Sequence, residues 1–199
     1  YASMGTFGAA DTNTRYRATI AAMAAAAADW QAAAAVNFVY MPQYDFTGCT
    51  STTPVVFDVH RVNSRGQYVA LSFRPSHARA SRILRIDRVA YGSITPWTLA
   101  GAIRHELGHI LGFRHEHTRP ESGACFEDND WRALTAYDAA SVMHYPQCNG
   151  TNTGDLVLTA LDRAGAAALY PFGAFPRLDN DPNDPDARFG LSQALAFTG

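Results

Sequence analysis

Hydrophobic and polar residues follow more than one spacing along the chain, and each spacing predicts a different kind of element. Residues 13–35 are dominated by alanine, the strongest helix former. Asp11 and Thr12 stand before this run as candidate N-terminal caps. The run therefore predicts a first long helix.

Four shorter stretches are rich in β-branched and aromatic residues, which is typical of strands. They cover residues 36–41, 54–62, 66–75 and a part of 82–91. The second stretch also alternates apolar and polar positions, as expected of a strand with one buried face.

Cap signals at both ends predict a second helix. Thr95 is its expected N-cap, Pro96 its first residue, and Gly112 the position where it should stop. Residues 113–155 are rich in Pro, Gly, Asn and Asp and predict loops, whereas residues 159–170 predict a last helix. This order of elements indicates an α+β protein.

Composition narrows the class of protein. A chain of 199 residues with 47% hydrophobic residues can form a core and fits a single domain, which could be split into two lobes. The net charge of −2 gives no reason to expect nucleic acid as a partner. No apolar run reaches the roughly 20 residues that span a bilayer, so we expect no membrane span.

Three cysteines allow one intramolecular disulfide and leave one thiol. Cys125 and Cys148 flank a loop-rich segment, so we expect them to pair and Cys49 to stay free. A disulfide favours a secreted, extracellular protein. The chain begins with Tyr1 and lacks the regions of a signal peptide, so we expect that a signal peptide or pro-segment has been removed.

The candidate chemistry lies in a segment that reads HELGHILGFRHEH and begins at His105. His105 and His109 are four residues apart, which puts both imidazoles on one face of a helix. Gly112 lets the backbone turn sharply, so that His115 can return towards the same ion. Three nitrogen ligands leave a fourth position open, as a catalytic zinc requires, and Glu106 lies beside the metal as a general base.

Two histidines at this spacing are a weak signal, but the longer pattern H-E-x-x-H-x-x-G-x-x-H is specific. Together with SVMHY at residues 141–145, it resembles the astacin family of the metzincin clan of zinc endopeptidases. The resemblance implies that Met143 forms a hydrophobic base under the zinc. It also implies that Tyr145 ligates zinc and can swing away to stabilise the transition state.

The resemblance further implies a metzincin-like single domain, residues 1–199, with two lobes. The upper lobe, 1–112, would hold a twisted mixed β-sheet, a backing helix and the active-site helix above the cleft. The lower lobe and tail, 113–199, would be loop-rich with a C-terminal helix. An extended peptide would pair with an edge strand that we expect near residues 68–73.

The implied function is that of a zinc-dependent endopeptidase, expected to be a monomer that acts on proteins or peptides. Glu106 would take a proton from water and deliver it to the leaving amine, while Tyr145 would donate a hydrogen bond to the oxyanion. The alternative is a latent or non-enzymatic zinc protein, in which His117 or Tyr145 closes the metal shell permanently. A structural site has no use for the base, so Glu106 argues against this alternative.

Several other residues receive simpler interpretations. We expect His117 to be a surface group rather than a support for the site, and His144 to be structural. Cys49 could ligate zinc and hold a protease latent, but it lies far upstream of the motif. The acidic residues of 177–190 lack the spacing of an EF-hand, so we predict a solvated loop rather than a Ca²⁺ site.

Overall fold

Three α-helices and a small mixed sheet form the regular part of the computed structural model, which describes residues 1–3, 14–47, 49–50, 52–152 and 154–173. The helices are α1 (Arg15–Ala33), α2 (Leu99–Ile110) and α3 (Ala160–Leu169). The strands are β1 (Ala2–Ser3), β2 (Asp58–Val62), β3 (Ala70–Leu71) and β4 (Ile83–Asp87). Short 3₁₀ helices occur at Pro42–Tyr44, Arg79–Ser81, Arg88–Tyr91, Glu116–Thr118, Pro120–Ser122 and Pro146–Cys148.

Helix α1 confirms the first predicted helix. Its N-cap is Thr14, and the predicted caps Asp11 and Thr12 lie outside the described residues. One face of the helix is buried against α2, with Met23 and Trp30 at its centre. The indole Nε1 of Trp30 donates to the backbone oxygen of Arg104 at 2.9 Å, which ties α1 to α2.

The sheet has the strand order β1-β2-β4-β3, with β2 parallel to β1 and β4 and with β3 antiparallel to β4. Strand β3 lies at an edge, in register through Ala70 opposite Ile86. The prediction that an edge strand occurs near residues 68–73 is therefore confirmed. The mixed sheet and its helices also confirm the α+β class.

One predicted strand is wrong. Residues 36–41 have no regular structure and join no ladder of the described sheet. Their backbone is used elsewhere, because Val39 accepts a hydrogen bond from the Tyr1 amine at 2.9 Å and Met41 donates to the Tyr1 carbonyl at 3.0 Å. Pro42 then starts a 3₁₀ helix and cannot donate to a neighbouring strand.

The other predicted strands exist but are shorter than their patterns. Strand β2 occupies only the second half of 54–62, because backbone groups at the beginning of this stretch form local bonds. Val55 donates to Thr53 at 2.8 Å and accepts from the Arg79 guanidinium at 2.7 Å. Alternating polarity identifies the residues that could pair in a sheet. Competing backbone hydrogen bonds, such as those of Val55, determine which of them do pair.

Helix α2 begins later than predicted. Its N-cap is Thr98, whose hydroxyl accepts from Gly101 at 3.0 Å, and not Thr95. The carboxylate of Asp155 holds this cap, since it accepts from the backbone nitrogen of Thr98 at 2.9 Å and from its hydroxyl at 3.0 Å. Asp155 is distant in sequence, so the local pattern could not reveal this starting point.

The predicted end of α2 is confirmed. Gly112 has φ +98°, a left-handed conformation that favours glycine. Phe113 donates to the carbonyl of Gly108 and Gly112 donates to that of His109, both at 2.9 Å. These two bonds form a Schellman motif, which turns the chain away from the helix.

The last part of the described chain also follows its prediction. Residues 113–155 contain loops and short 3₁₀ helices, and α3 begins with a capping box between Thr159 and Asp162. The predicted disulfide between Cys125 and Cys148 is present. Among the described residues, no helix combines the length and apolarity that a membrane span needs. The division into lobes at residue 112 stays a prediction.

Candidate metal centre

Two of the three predicted zinc ligands lie on consecutive turns of α2. His105 is buried, and its Nδ1 is 2.7 Å from the carbonyl oxygen of Val142. The Nδ1 of His109 is 2.8 Å from the carbonyl oxygen of Phe113. A carbonyl only accepts, so each Nδ1 must carry the proton, which leaves a lone pair on each Nε2.

The third predicted ligand, His115, reaches the same place from the loop after Gly112. Its Nδ1 is 2.5 Å from Oε1 of Glu127, so this ring also presents a lone pair on Nε2. The Nε2 atoms of His109 and His115 are only 3.1 Å apart. Each of the three histidines offers a nitrogen within 4.8 Å of the others.

This arrangement fits a zinc ion. Two lone pairs that face each other at 3.1 Å repel unless a cation lies between them. The Nε2 of His105 is buried and has no hydrogen-bond partner among the described residues, which is costly without a ligand. Burial, followed by the neighbouring His105, lowers the pKa of His115 to about 2. Burial also lowers the pKa of His105 and of His109. All three rings are therefore neutral at pH 7, as zinc ligands must be.

Glu106 lies next to His105 in the chain and is also buried. Its Oε2 has no hydrogen-bond partner among the described residues. Burial raises the pKa of this carboxyl group to about 7. The backbone oxygen of Glu106 accepts a bond of 3.0 Å from the hydroxyl of Ser72, the residue after β3, so the edge strand runs beside this part of α2.

The segment predicted as the Met-turn packs directly under α2. A β-carbon built on Gly108 would come within 2.4 Å of the Met143 sulfur and 3.1 Å of Cζ2 of Trp30. Only glycine at this position lets the turn approach so closely. The turn also carries Val142, whose carbonyl orients His105.

Asp162 holds the Met-turn from below. One carboxylate oxygen accepts from the Ser141 hydroxyl at 2.6 Å, and the other accepts from the Val142 nitrogen at 2.9 Å. The same carboxylate accepts from the backbone nitrogen of Thr159 at 2.9 Å, where it closes the capping box of α3. One side chain thus joins a helix terminus to the turn that orients His105.

Tyr145 lies among the predicted ligands. Its ring centroid is 4.5 Å from that of His115 and 5.4 Å from that of His105. Burial, assisted by Glu106 and Glu127, raises the pKa of the phenol to about 12. The hydroxyl is therefore protonated at neutral pH and available as a hydrogen-bond donor.

His117 differs from its prediction as a surface group, because its exposed fraction is only 2%. Its Nδ1 accepts from the Tyr145 nitrogen at 3.3 Å, and its Nε2 is 3.4 Å from Oε1 of Glu127. His144 is buried as a structural residue would be, with Nε2 at 2.8 Å from the Tyr137 hydroxyl.

Comparison with known proteins gives the fold a context. No protein-family model matches the chain. The fold is similar to that of high choriolytic enzyme 1, a hatching enzyme zinc-protease from Oryzias latipes, with a TM-score of 0.51 and 20% identity over 85% of this chain and 88% of that one. The structure of myroilysin is similar with a TM-score of 0.54 and 18% identity, over 86% of this chain and 79% of that one.

Similarity in sequence is limited to shorter stretches. The astacin-like metalloendopeptidase of Coturnix japonica is 41% identical over 71 residues, which are 27% of this chain and 17% of that protein. The chain spans about a third or less of the length of the curated relatives it matches, from 10% to 34%. The chain therefore has the fold of these two solved structures, and its short sequence matches include an astacin-like metalloendopeptidase.

Two residues that support the candidate site were not predicted from the sequence. Asp162 could have been found as a cap, because Thr159 and Asp162 have the spacing of a capping box. Glu127 gave no signal, since it is one acidic residue in an irregular loop. The free Cys49 is half-buried near Asp58 and is not among the residues that converge on the site.

Proposed function

We propose that the chain is a zinc-dependent endopeptidase. The observation that carries the proposal is the convergence of three imidazole lone pairs beside the buried carboxyl group of Glu106, whose Oε2 has no hydrogen-bond partner among the described residues. His105, His109 and His115 would hold the ion. When bound, zinc would polarise the scissile carbonyl and activate water.

Two further residues have roles in the proposed reaction. Glu106 accepts a proton from the attacking water and delivers it to the leaving amine. Its position next to His105 and the free Oε2 support this role. Tyr145 donates a hydrogen bond to the oxyanion, which its protonated phenol and its contact with two ligand rings support. In the resting state, Tyr145 would be a fourth ligand.

The substrate would bind as an extended peptide along β3. An edge strand offers unpaired backbone groups, with which a peptide can extend the sheet. The hydroxyl of Ser72 bonds the backbone of Glu106, so a peptide paired with β3 would pass close to the general base. Main-chain pairing does not depend on the side chains of the substrate. We therefore expect an endopeptidase that accepts a broad range of protein substrates.

The proposed enzyme acts outside the cell. The disulfide between Cys125 and Cys148 favours an oxidising compartment. We further propose that it works as a monomer and is released from a pro-segment.

Zinc content and proteolysis, measured on the same preparation, test the proposal. We expect about one zinc per chain, cleavage of denatured casein, loss of cleavage with phenanthroline and recovery on adding zinc. Zinc without cleavage of casein or of a peptide panel would favour the latent or closed-shell alternative. A folded chain that binds no zinc would refute the proposal.

A further inference from the structure

We infer that Glu127 is a positioning residue for the zinc site, whose carboxylate fixes His115 and, through His117, the backbone at Tyr145. The inference rests on the zinc site of the proposed function. It adds a residue that lies outside the motif and twelve positions after His115 in the sequence.

The contact with His115 differs in kind from those of the other two ligands. Backbone carbonyls orient His105 and His109, whereas a carboxylate orients His115 at 2.5 Å. An ionised acceptor forms a stronger hydrogen bond than a carbonyl and makes the opposite ring nitrogen a better donor to the metal. His115 is carried by a loop, so it gains most from such a partner.

A second metal between these residues fits the distances less well. An ion bound to both His115 Nδ1 and Glu127 Oε1 at about 2 Å would hold the two atoms close to 3 Å apart. The observed 2.5 Å is the separation of a direct, charge-assisted hydrogen bond. The carboxylate therefore supports the ligand and does not share it with another ion.

Glu127 also contacts His117, which connects it to the backbone of Tyr145. Because Nδ1 of His117 accepts from the Tyr145 nitrogen at 3.3 Å, its proton must be on Nε2, which faces Glu127 Oε1 at 3.4 Å. The ring of His117 is buried and cannot turn towards solvent. One carboxylate oxygen thus connects the third ligand to the segment that carries the proposed transition-state donor.

Glu127 is itself held in place. The guanidinium of Arg114 is 3.5 Å from its Oε2 and 2.6 Å from the carboxylate of Asp128. Two residues earlier, Cys125 forms the disulfide with Cys148, three residues after Tyr145. The loop is therefore anchored on both sides of the site, so that the carboxylate is positioned before any ion binds.

The experiment compares zinc affinity among three variants of the full chain. Glu127→Ala removes the acceptor, and Glu127→Gln keeps an acceptor oxygen without the charge. Asp130→Asn is the matched control, because Asp130 lies on the same loop, contacts Arg114 and is 89% exposed. Zinc dissociation constants come from competition with a chelating indicator, and the Tm of each zinc-free protein reports on folding.

We expect Glu127→Ala to weaken zinc binding about 10- to 100-fold, and Glu127→Gln to weaken it by about threefold or more but less than alanine does. The control should stay within about twofold of the wild type, and the zinc-free Tm should change little in all three. Wild-type affinity in both Glu127 variants would overturn the inference. If the alanine variant does not fold, the glutamine variant decides alone. A wild-type protein without zinc would instead refute the proposed function.

Discussion

Two regions of the molecule build the site, and they position their residues in different ways. Helix α2 places His105, Glu106 and His109 by its own periodicity, since consecutive turns bring positions four apart onto one face. The loops of residues 113–155 supply His115 without any such periodicity. The helical half is therefore encoded locally, whereas the loop half depends on tertiary contacts.

The loop half is held by hydrogen bonds between residues that are distant in sequence. Glu127 orients His115, and Asp162 holds the turn whose carbonyl orients His105. The two regions meet where Gly108 lets Met143 approach the helix. Variants in the two regions should therefore show which residues affect catalysis and which affect the folding of the site.

The largest effect should come from the helical half. Glu106→Gln should leave zinc content unchanged but reduce casein cleavage by about 10²- to 10⁴-fold, because the proposed general base is lost while the three imidazoles remain. Zinc analysis and a proteolysis assay on the same sample measure both quantities. Glu121→Gln is the control, since the Glu121 side chain is exposed, and this variant should keep full activity. Cleavage at the wild-type rate by Glu106→Gln would show that another group takes the proton.

A smaller effect should follow at the junction. Gly108→Ala should lower the free energy of unfolding by about 1–3 kcal/mol, because its β-carbon would lie 2.4 Å from the buried sulfur of Met143. It should also weaken zinc binding, since the displaced turn carries the partner of His105. Denaturant unfolding and a zinc titration measure the two changes.

The same substitution elsewhere in a helix should have the opposite sign. Gly165 lies inside α3, where a β-carbon would meet its nearest neighbour, Thr135, at an ordinary 3.7 Å. Gly165→Ala should therefore stabilise the protein by about 0.5–1 kcal/mol. If both variants were stabilised to the same degree, the close packing of Met143 against α2 would be contradicted.

Sequence patterns predicted several features that depend on local geometry. The first helix, the stop at Gly112 and the disulfide all follow from propensity, cap chemistry or spacing. The spacing of His105, His109 and His115 pointed to residues that the fold does bring together. Each of these features is decided by residues close in sequence or by a pattern specific enough to stand alone.

What the patterns missed depends on partners that are distant in sequence. Thr98 begins α2 because Asp155 holds it, and residues 36–41 leave the sheet because their backbone bonds Tyr1 instead. His117 is buried because it lies between Tyr145 and Glu127. No periodicity reveals such pairings, so the sequence identified the three histidines that the fold brings together but not the residues that orient them.

A last effect, similar in size to that of Gly165→Ala, concerns the sheet, which carries none of the candidate ligands. Burial would raise the pKa of Asp87, but hydrogen bonds from Val89 and Ser64 outweigh it and hold this pKa below its usual value. The lowered pKa of Asp87 stabilises the folded protein fully when the pH is above the pKa of this group in the unfolded state. The stabilisation is lost as the pH falls through the pKa in the folded state. The free energy of unfolding of the wild type should exceed that of Asp87→Asn by about 1 kcal/mol near neutral pH. The difference should be smaller below about pH 4. Urea unfolding with and without zinc should give the same difference; a zinc-dependent difference would mean that the sheet and the metal site are energetically coupled.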